Sequence, residues 1–268
     1  MITFNRNTAI IYCFCWIVLT FLILPVFIIL PLSFSSSLFL EFPPKGFSLM
    51  WYQRLITDFQ WLEAAKVSFS VACFTMLLST LLGTMASVGL VRGKFFGRNI
   101  IYTVFLSPMI MPLIVMAIAL YFLFVRLHLV GTYTGLIIAH TILAIPFVIV
   151  NVTSVLHGFD RNLENAAMNL GANRLQTFLR ITLPLISPGI FSGALFAFII
   201  SFDEIIIAIF IAGTSAVTLP KMIWDSIRLE INPMVTSIAT LLIFLSVIVL
   251  VISEILRRRA EKYRSIPR

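Results

Sequence analysis

Six long apolar runs set the hydrophobic pattern of this chain, and short polar or basic segments separate them. The runs cover residues 10–34, 64–91, 100–125, 135–156, 187–213 and 234–256. A helix rises about 1.5 Å per residue, so about 20 apolar residues cross the hydrocarbon core of a bilayer. The pattern therefore predicts an all-α polytopic membrane protein, with six transmembrane helices in a single domain over residues 1–268.

Residues 160–184 form the longest polar segment in the second half of the chain. Small apolar side chains recur in it at helical spacing, namely Leu163, Ala166, Ala167 and Leu170. Gly171 suits the left-handed position that ends a helix, Asn173 can cap a second helix, and Pro184 is expected to stop that helix. We therefore predict two short helices that meet at Gly171. On the pattern alone, the pair either lies on the lipid surface or docks a cytoplasmic partner.

Two carboxylates, Asp203 and Glu204, lie near the middle of the fifth apolar run. An acid at the centre of a membrane helix costs about 2.5–3.5 kcal/mol, so both side chains are expected to face the bundle interior or water. Successive helical residues point about 100° apart, so one acid can line a pathway while the other binds a neighbouring helix. The pair is either a packing interaction or a cation-favouring position on a translocation route.

The third run carries two prolines, Pro108 and Pro112. Each removes a helical hydrogen bond, and a bilayer tolerates this only where protein or a cavity satisfies the freed groups. We expect a bend at these residues, which serves either helix packing or the lining of a pathway.

Composition and charge agree with the membrane assignment. The 268 residues are 60% hydrophobic and 11% charged, which is far more apolar than an ordinary soluble domain. The net charge of +8 is better explained by basic residues on one side of a bilayer than by a nucleic-acid partner. These residues are Arg6, the 92–98 loop, Arg161, Arg174, Arg180 and the basic tail from Arg257. Both termini and the 160–184 segment are therefore expected to lie in the cytoplasm.

The sequence offers little catalytic chemistry. Its three cysteines lie in apolar runs without zinc-site spacing, and His140 is expected to be a hydrogen-bonded packing residue. No phosphate-binding P-loop motif is present, because the Gly93-Lys94 pair is followed by Phe95. We therefore predict no catalytic residue, metal site or cofactor in this chain.

The 160–184 segment resembles the EAA loop of binding-protein-dependent ABC importer permeases. That pattern is Glu-Ala-Ala, three residues, Gly, nine residues, Ile, one residue and Leu-Pro. The positions in register are Ala166, Ala167, Gly171, Ile181, Leu183 and Pro184, whereas Asn165 replaces the pattern's Glu and follows Glu164. The resemblance implies the type I importer permease fold, in which these residues and Leu170 form a coupling helix that docks into an ATPase subunit.

Later motifs resemble the spermidine/putrescine branch of the same permeases. They are the Ser-Phe-Asp-acid run at 201–204, Leu219-Pro220, Trp224, Asn232-Pro233 and residues 239–242. The resemblance implies a solute pathway that includes Asp203, Glu204 and Trp224, with Lys221 and Pro112 as further candidates. The residue after Pro112 is Leu113 rather than the acid that this branch often has, and Lys221 follows Leu-Pro directly instead of two residues later.

The resemblance also implies a bacterial inner-membrane complex. Its partners would be a second permease, expected to form a heterodimer with this chain, two ATPase subunits that bind ATP and Mg²⁺, and a periplasmic solute-binding protein. The expected cargo is a polyamine, or a related amine or amino acid. The alternatives are an ABC permease for an unrelated solute and an ion-coupled secondary transporter that uses Asp203 and Glu204, although no clear internal repeat supports the latter.

Overall fold

The computed structural model describes residues 6–229 and 232–264, and the elements in these ranges are helices. Side chains are described for residues 11–229, 232–248 and 251. The helices are α1 (Arg6–Ser33), α2 (Met50–Thr57), α3 (Phe59–Arg92), α4 (Arg98–Ile110), α5 (Leu113–Arg126), α6 (Tyr133–His157), α7 (Asn162–Asn169), α8 (Arg174–Thr177), a π turn (Phe178–Thr182), α9 (Leu183–Asp203), α10 (Ile206–Ile211), α11 (Leu219–Leu229) and α12 (Pro233–Arg264).

Four helical stretches are long and apolar enough to cross a membrane: Ile11–Ser33, Phe59–Arg92, Tyr133–His157 and Arg174–Asp203. The helices α4 and α5 meet the same criterion together, as one broken span. The described apolar part of α12, Pro233–Ile248, is shorter, and most side chains beyond it lie outside the described residues. The all-α, multi-span prediction is confirmed, while the count of six spans stays a prediction.

The third predicted span is not one continuous helix. The chain ends α4 at Ile110 and starts α5 at Leu113, with a bend of 105° between them. Met111 is extended (φ −69°, ψ 138°) and Pro112 precedes the first turn of α5. Proline disfavours helical geometry at the residue before it, which explains the extended Met111. The predicted bend at these prolines is confirmed.

The fifth predicted span, over 187–213, contains a helix break. Helix α9 ends at Asp203, because Glu204 is extended (φ −72°, ψ 117°) and α10 begins only at Ile206. The Glu204 carboxylate accepts a hydrogen bond from the Ile207 N–H at 2.8 Å. This side chain satisfies one of the free N–H groups at the start of α10. The two acids therefore lie at a helix break and not in the middle of a helix.

Pro184 does not end the second helix of the polar segment as predicted. Helix α8 continues through the π turn into α9, and Pro184 lies in the first turn of α9. The last bond of the π turn runs from the Leu183 N–H to the Phe178 C=O. Pro184 has no N–H to donate, but the chain remains helical on both sides of it.

The chain divides into two compact units, one from Gln60–Trp224 and one from Met1–Phe59 with Asp225–Arg268. In the second of these, α1 packs against α12, and the Ser237 hydroxyl donates to the Ser33 C=O at 2.9 Å. In the unit from Gln60–Trp224, the most extensive helix contact joins α6 and α9. This unit holds the 160–184 segment and the two acids, so it carries the candidate site.

Helices α6 and α9 approach closely because glycines of α9 face the backbone of α6. A Cβ on Gly189 would lie 2.9 Å from the Asn151 C=O, and one on Gly193 would lie 3.0 Å from the Val148 Cα. Neither contact can be relieved by turning a side chain, because each involves backbone atoms. Small residues at such crossings are typical of membrane helix pairs.

We expect Gly189→Ala to lower the thermal stability of the detergent-solubilised protein. The added methyl must push α9 away from α6, and overpacking of this kind costs about 1–3 kcal/mol. The matched control is Gly89→Ala, since Gly89 is also helical but has no atom within 4 Å of an added Cβ. Thermal unfolding followed by tryptophan fluorescence measures both variants. Equal unfolding temperatures for the two would contradict the close crossing.

Candidate functional site

Helix α7 ends as the sequence predicts, at a left-handed glycine. Gly171 has φ +92°, and its N–H donates to the Met168 C=O at 3.0 Å. The next N–H, that of Ala172, donates to the Ala167 C=O at 3.1 Å. These two bonds form a Schellman motif, which closes the last turn of a helix and reverses the chain. The predicted helix end at Gly171 is confirmed.

Helix α8 begins immediately with a capping box. The Asn173 side chain accepts from the Gln176 N–H at 2.8 Å, and the Gln176 side chain accepts from the Asn173 N–H at 3.1 Å. The two reciprocal bonds satisfy groups that a helix start otherwise leaves free. The predicted cap at Asn173 is confirmed. This cap and the turn at Gly171 together define the angle between α7 and α8.

The α7–α8 pair presents apolar side chains outward. Leu170, at the end of α7, is 90% exposed, and further large apolar residues are also exposed: Leu163, Met168, Leu175 and Leu179. Asn165, which stands at the Glu position of the EAA pattern, is exposed as well. The matched positions Ala167, Ile181 and Leu183 are half-buried, whereas Ala166 and Pro184 are exposed. A surface of this kind, with apolar groups beside polar ones, suits a protein partner.

Glu164 contacts other parts of the chain, whereas Asn165 is exposed. Its Oε1 accepts a hydrogen bond from the Thr182 hydroxyl at 2.8 Å and lies 3.2 Å from Nη2 of Arg92. The carboxylate is therefore engaged within the chain. Sequence reasoning grouped Glu164 with the outward docking residues and gave no partner for it, because Arg92 is far away in the sequence.

The two acids of the α9–α10 break differ in their surroundings. Glu204 is 7% exposed and holds the start of α10, whereas Asp203 is exposed. For Glu204 the packing interpretation fits the geometry, and its hydrogen-bond partner is the next helix of the same segment rather than a neighbouring one. Asp203 is the acid that a solute could reach.

Aromatic rings of α9 and α3 pack together near the end of α9, and sequence reasoning missed them. The Phe198 and Phe202 rings are stacked, with centroids 5.8 Å apart, and Phe69 of α3 meets Phe198 edge-on at 6.0 Å. The signal was present as an i, i+4 phenylalanine pair that ends one residue before an acid. The rings therefore join α9 to α3 just before the break that carries the two acids.

The other candidate pathway residues occupy separate elements. Pro112 lies at the α4–α5 break, and Lys221 and Trp224 lie on α11. Trp224 is exposed and Lys221 is half-buried. The two helix breaks share a core, because Leu113 after one break and Ile206 after the other pack against the same buried cluster. Non-helical backbone at membrane depth is tolerated only where it is buried or lines a cavity.

His140 packs as predicted. Its Nδ1 lies 2.9 Å from the Ser201 hydroxyl, and the imidazole is fully buried between α6 and α9. The described residues contain no group of three or more His, Cys, Asp or Glu side chains that could hold a metal ion.

Comparisons with known proteins agree with this architecture. The family model of the binding-protein-dependent transport system inner membrane component matches residues 79–262. The chain is 38% identical to the putrescine transport system permease protein PotI of Escherichia coli K12, over 91% of this chain and 89% of that protein. It is 32% identical to the spermidine/putrescine transport system permease protein PotC of Haemophilus influenzae, over 92% and 95% of the two chains.

A solved structure has the same fold. It is a chain from the crystal structure of a bacterial ABC transporter involved in the import of the acidic polysaccharide alginate, with a TM-score of 0.77 and 17% identity over 95% of this chain and 99% of that one. The family match covers well over half of the sequence, and the relatives align along nearly its full length. This chain therefore belongs to the family of binding-protein-dependent transport system inner membrane components.

Proposed function

We propose that this chain is one of two permease subunits of an ATP-driven importer that brings a polyamine-type cation into the cytoplasm. The observation that carries the proposal is the α7–Gly171–α8 pair, which is held in a defined shape and presents exposed apolar side chains. The loop and both termini face the cytoplasm. The chain itself carries no cofactor and catalyses no reaction, and ATP and Mg²⁺ bind to two separate ATPase subunits.

The outward face of the loop supports docking of an ATPase. Leu170 is almost fully exposed at the tip between the two helices. Burying one such side chain in a partner's cleft contributes about 1.5–3 kcal/mol. Asn165 replaces the carboxylate of the EAA pattern, so the docking in this chain rests on apolar contact and on the loop's shape rather than on that charge.

The cargo is inferred from the relatives' names and from the chemistry around Asp203. PotI and PotC are named for putrescine and for spermidine with putrescine. A polyamine carries ammonium groups separated by methylene chains. The exposed Asp203 carboxylate can pair with one of these ammonium groups. We infer that Asp203 is the pathway acid and that Pro112, Lys221 and Trp224 line other parts of the route.

The proposed cycle begins when a periplasmic binding protein delivers the solute to the outer face of the permease pair. ATP-driven closure of the two ATPase subunits moves the docked loops, and the spans switch between inward- and outward-facing states. The breaks at Pro112 and Glu204 are places where a span can change direction. The Glu204 carboxylate accepts from the Ile207 N–H at one break, and the Pro112 C=O accepts from the Val115 and Met116 N–H groups at the other.

The test is a reconstituted complex of this chain with its second permease, ATPase and binding protein in proteoliposomes. We expect putrescine or spermidine to stimulate ATP hydrolysis severalfold and to accumulate inside, whereas neutral amino acids do neither. Stimulation only by an uncharged solute would keep the importer assignment and reject the polyamine. Uptake driven by an ion gradient without ATP would instead support the secondary-transporter alternative.

A further inference from the structure

A shielded polar cluster joins three elements that are far apart in the sequence. It consists of Arg92 at the end of α3, Glu164 in the first turn of α7 and Thr182 at the end of the π turn. One atom, Glu164 Oε1, receives both interactions, at 3.2 Å from the Arg92 Nη2 and 2.8 Å from the Thr182 hydroxyl. A single carboxylate oxygen therefore ties the loop to the ends of two membrane spans.

The cluster is shielded from water. The Arg92 and Glu164 side chains are only 19% and 13% exposed, and Thr182 is buried. The guanidinium of Arg92 also lies over the Phe159 ring, 5.2 Å from its centroid. Ion pairs in full contact with water contribute little because water and salt screen them, whereas this pair is largely protected from both.

The helix dipoles of α3 and α7 favour the charges of Arg92 and Glu164. Arg92 is the last residue of α3, where the helix dipole favours a cation, and Glu164 is in the first turn of α7, where it favours an anion. The acid stands one residue before the EAA Glu position, and one residue turns a helical side chain by about 100°. That rotation separates the inward Glu164 from the outward Asn165.

We propose that Arg92, Glu164 and Thr182 form a brace of positioning residues that transmits movement of the α7–α8 loop to α3 and α9. The brace rests on the proposed function, since it acts on movement that a docked ATPase imposes. Without it, the ATPase can still bind the outward face of the loop and hydrolyse ATP. The loop then moves without carrying the two spans, so hydrolysis is uncoupled from transport.

The experiment measures solute uptake per ATP hydrolysed in the reconstituted complex. We expect the single reversals Arg92→Glu and Glu164→Arg each to lower this ratio by about fivefold or more, as expected for directly coupled residues. The ATPase should still co-purify with both variants. We expect the double variant, Arg92→Glu with Glu164→Arg, to recover part of the ratio, because the two side chains again carry opposite charges. Recovery stays incomplete, because the swapped charges oppose the helix dipoles and Thr182 loses its acceptor.

Milder variants and a matched control guard against misfolding. Glu164→Gln keeps an acceptor for Thr182 but loses the charge, and Thr182→Val keeps the shape but loses the hydroxyl, so both should lower the ratio less than the reversals. Lys94→Gln removes a positive charge from an exposed side chain two residues after Arg92 and should leave the ratio unchanged. Two results would overturn the brace. One is an unchanged ratio of uptake to ATP hydrolysis in the single reversals. The other is a ratio in the double variant that is no higher than the product of the two single effects.

A second measurement separates this inference from the proposed function. In the solubilised full-length chain without ATPase, we expect Arg92→Gln to speed amide hydrogen exchange in α7 by about tenfold, while Lys94→Gln has no effect. If α7 exchanges equally in both variants, the brace is wrong even if the complex transports. If the original complex shows no ATP-dependent uptake but Arg92→Gln still speeds amide exchange in α7, the proposed function is wrong. The contact between Arg92, Glu164 and Thr182 is then still supported.

Discussion

A Gly171→Val variant should insert into the membrane normally and lose most of its ATP-driven uptake. Gly171 has φ +92°, which a β-branched residue adopts only with strain, while an added Cβ would meet no atom within 4 Å. The effect is therefore conformational and not steric. Left-handed geometry costs an L-residue about 1–2 kcal/mol, which corresponds to roughly a five- to thirtyfold loss of the observed loop geometry.

The structure supplies a matched control for Gly171 in Gly97, just before α4. Gly97 has φ +81° and also has open space around an added Cβ, so Gly97→Val imposes a similar backbone strain outside the α7–α8 pair. We expect ATPase co-purification and uptake to fall in the Gly171 variant and to be retained in the Gly97 variant. Equal losses in both would mean that general destabilisation, and not the loop, explains the result.

An Asp203→Asn variant should lose uptake of a cationic solute by about 10- to 100-fold, because hydrogen bonds to charged groups contribute about 1.5–3 kcal/mol. Asparagine has nearly the same size, and Asp203 is exposed at the end of α9, so the fold should persist. The measurement is the initial rate of labelled putrescine uptake in proteoliposomes, together with basal ATP hydrolysis. We expect basal hydrolysis to stay near that of the original chain.

Glu204 is the natural control for Asp203, because it is adjacent and buried. Glu204→Gln retains an oxygen that accepts from the Ile207 N–H, so we expect near-normal uptake. Glu204→Ala removes that bond and should lower stability by about 1 kcal/mol, as loss of a helix cap does. If Glu204→Gln abolishes putrescine uptake and Asp203→Asn does not, the roles of the two acids are reversed from those inferred from their exposure.

Local patterns in the sequence determined much of this protein. Long apolar runs specify membrane helices because the bilayer offers no partner for a free backbone group. Gly171 and Asn173 specify their own helix ends, because a left-handed turn and a capping box depend on residues only a few positions apart. The EAA-like spacing is also local, so residues 160–184 by themselves indicated the family. The family model that matches the chain confirmed this prediction.

The tertiary structure decided which of those residues face which surroundings. Asp203 and Glu204 are equivalent acids in the sequence, and only the break after α9 buries one and exposes the other. Glu164 and Asn165 are neighbours, and only the meeting of α3, α7 and the π turn directs the carboxylate inward to Arg92. Contacts between residues distant in sequence depend on how the helices pack, and the periodicity of one helix carries no information about its neighbour's side chains.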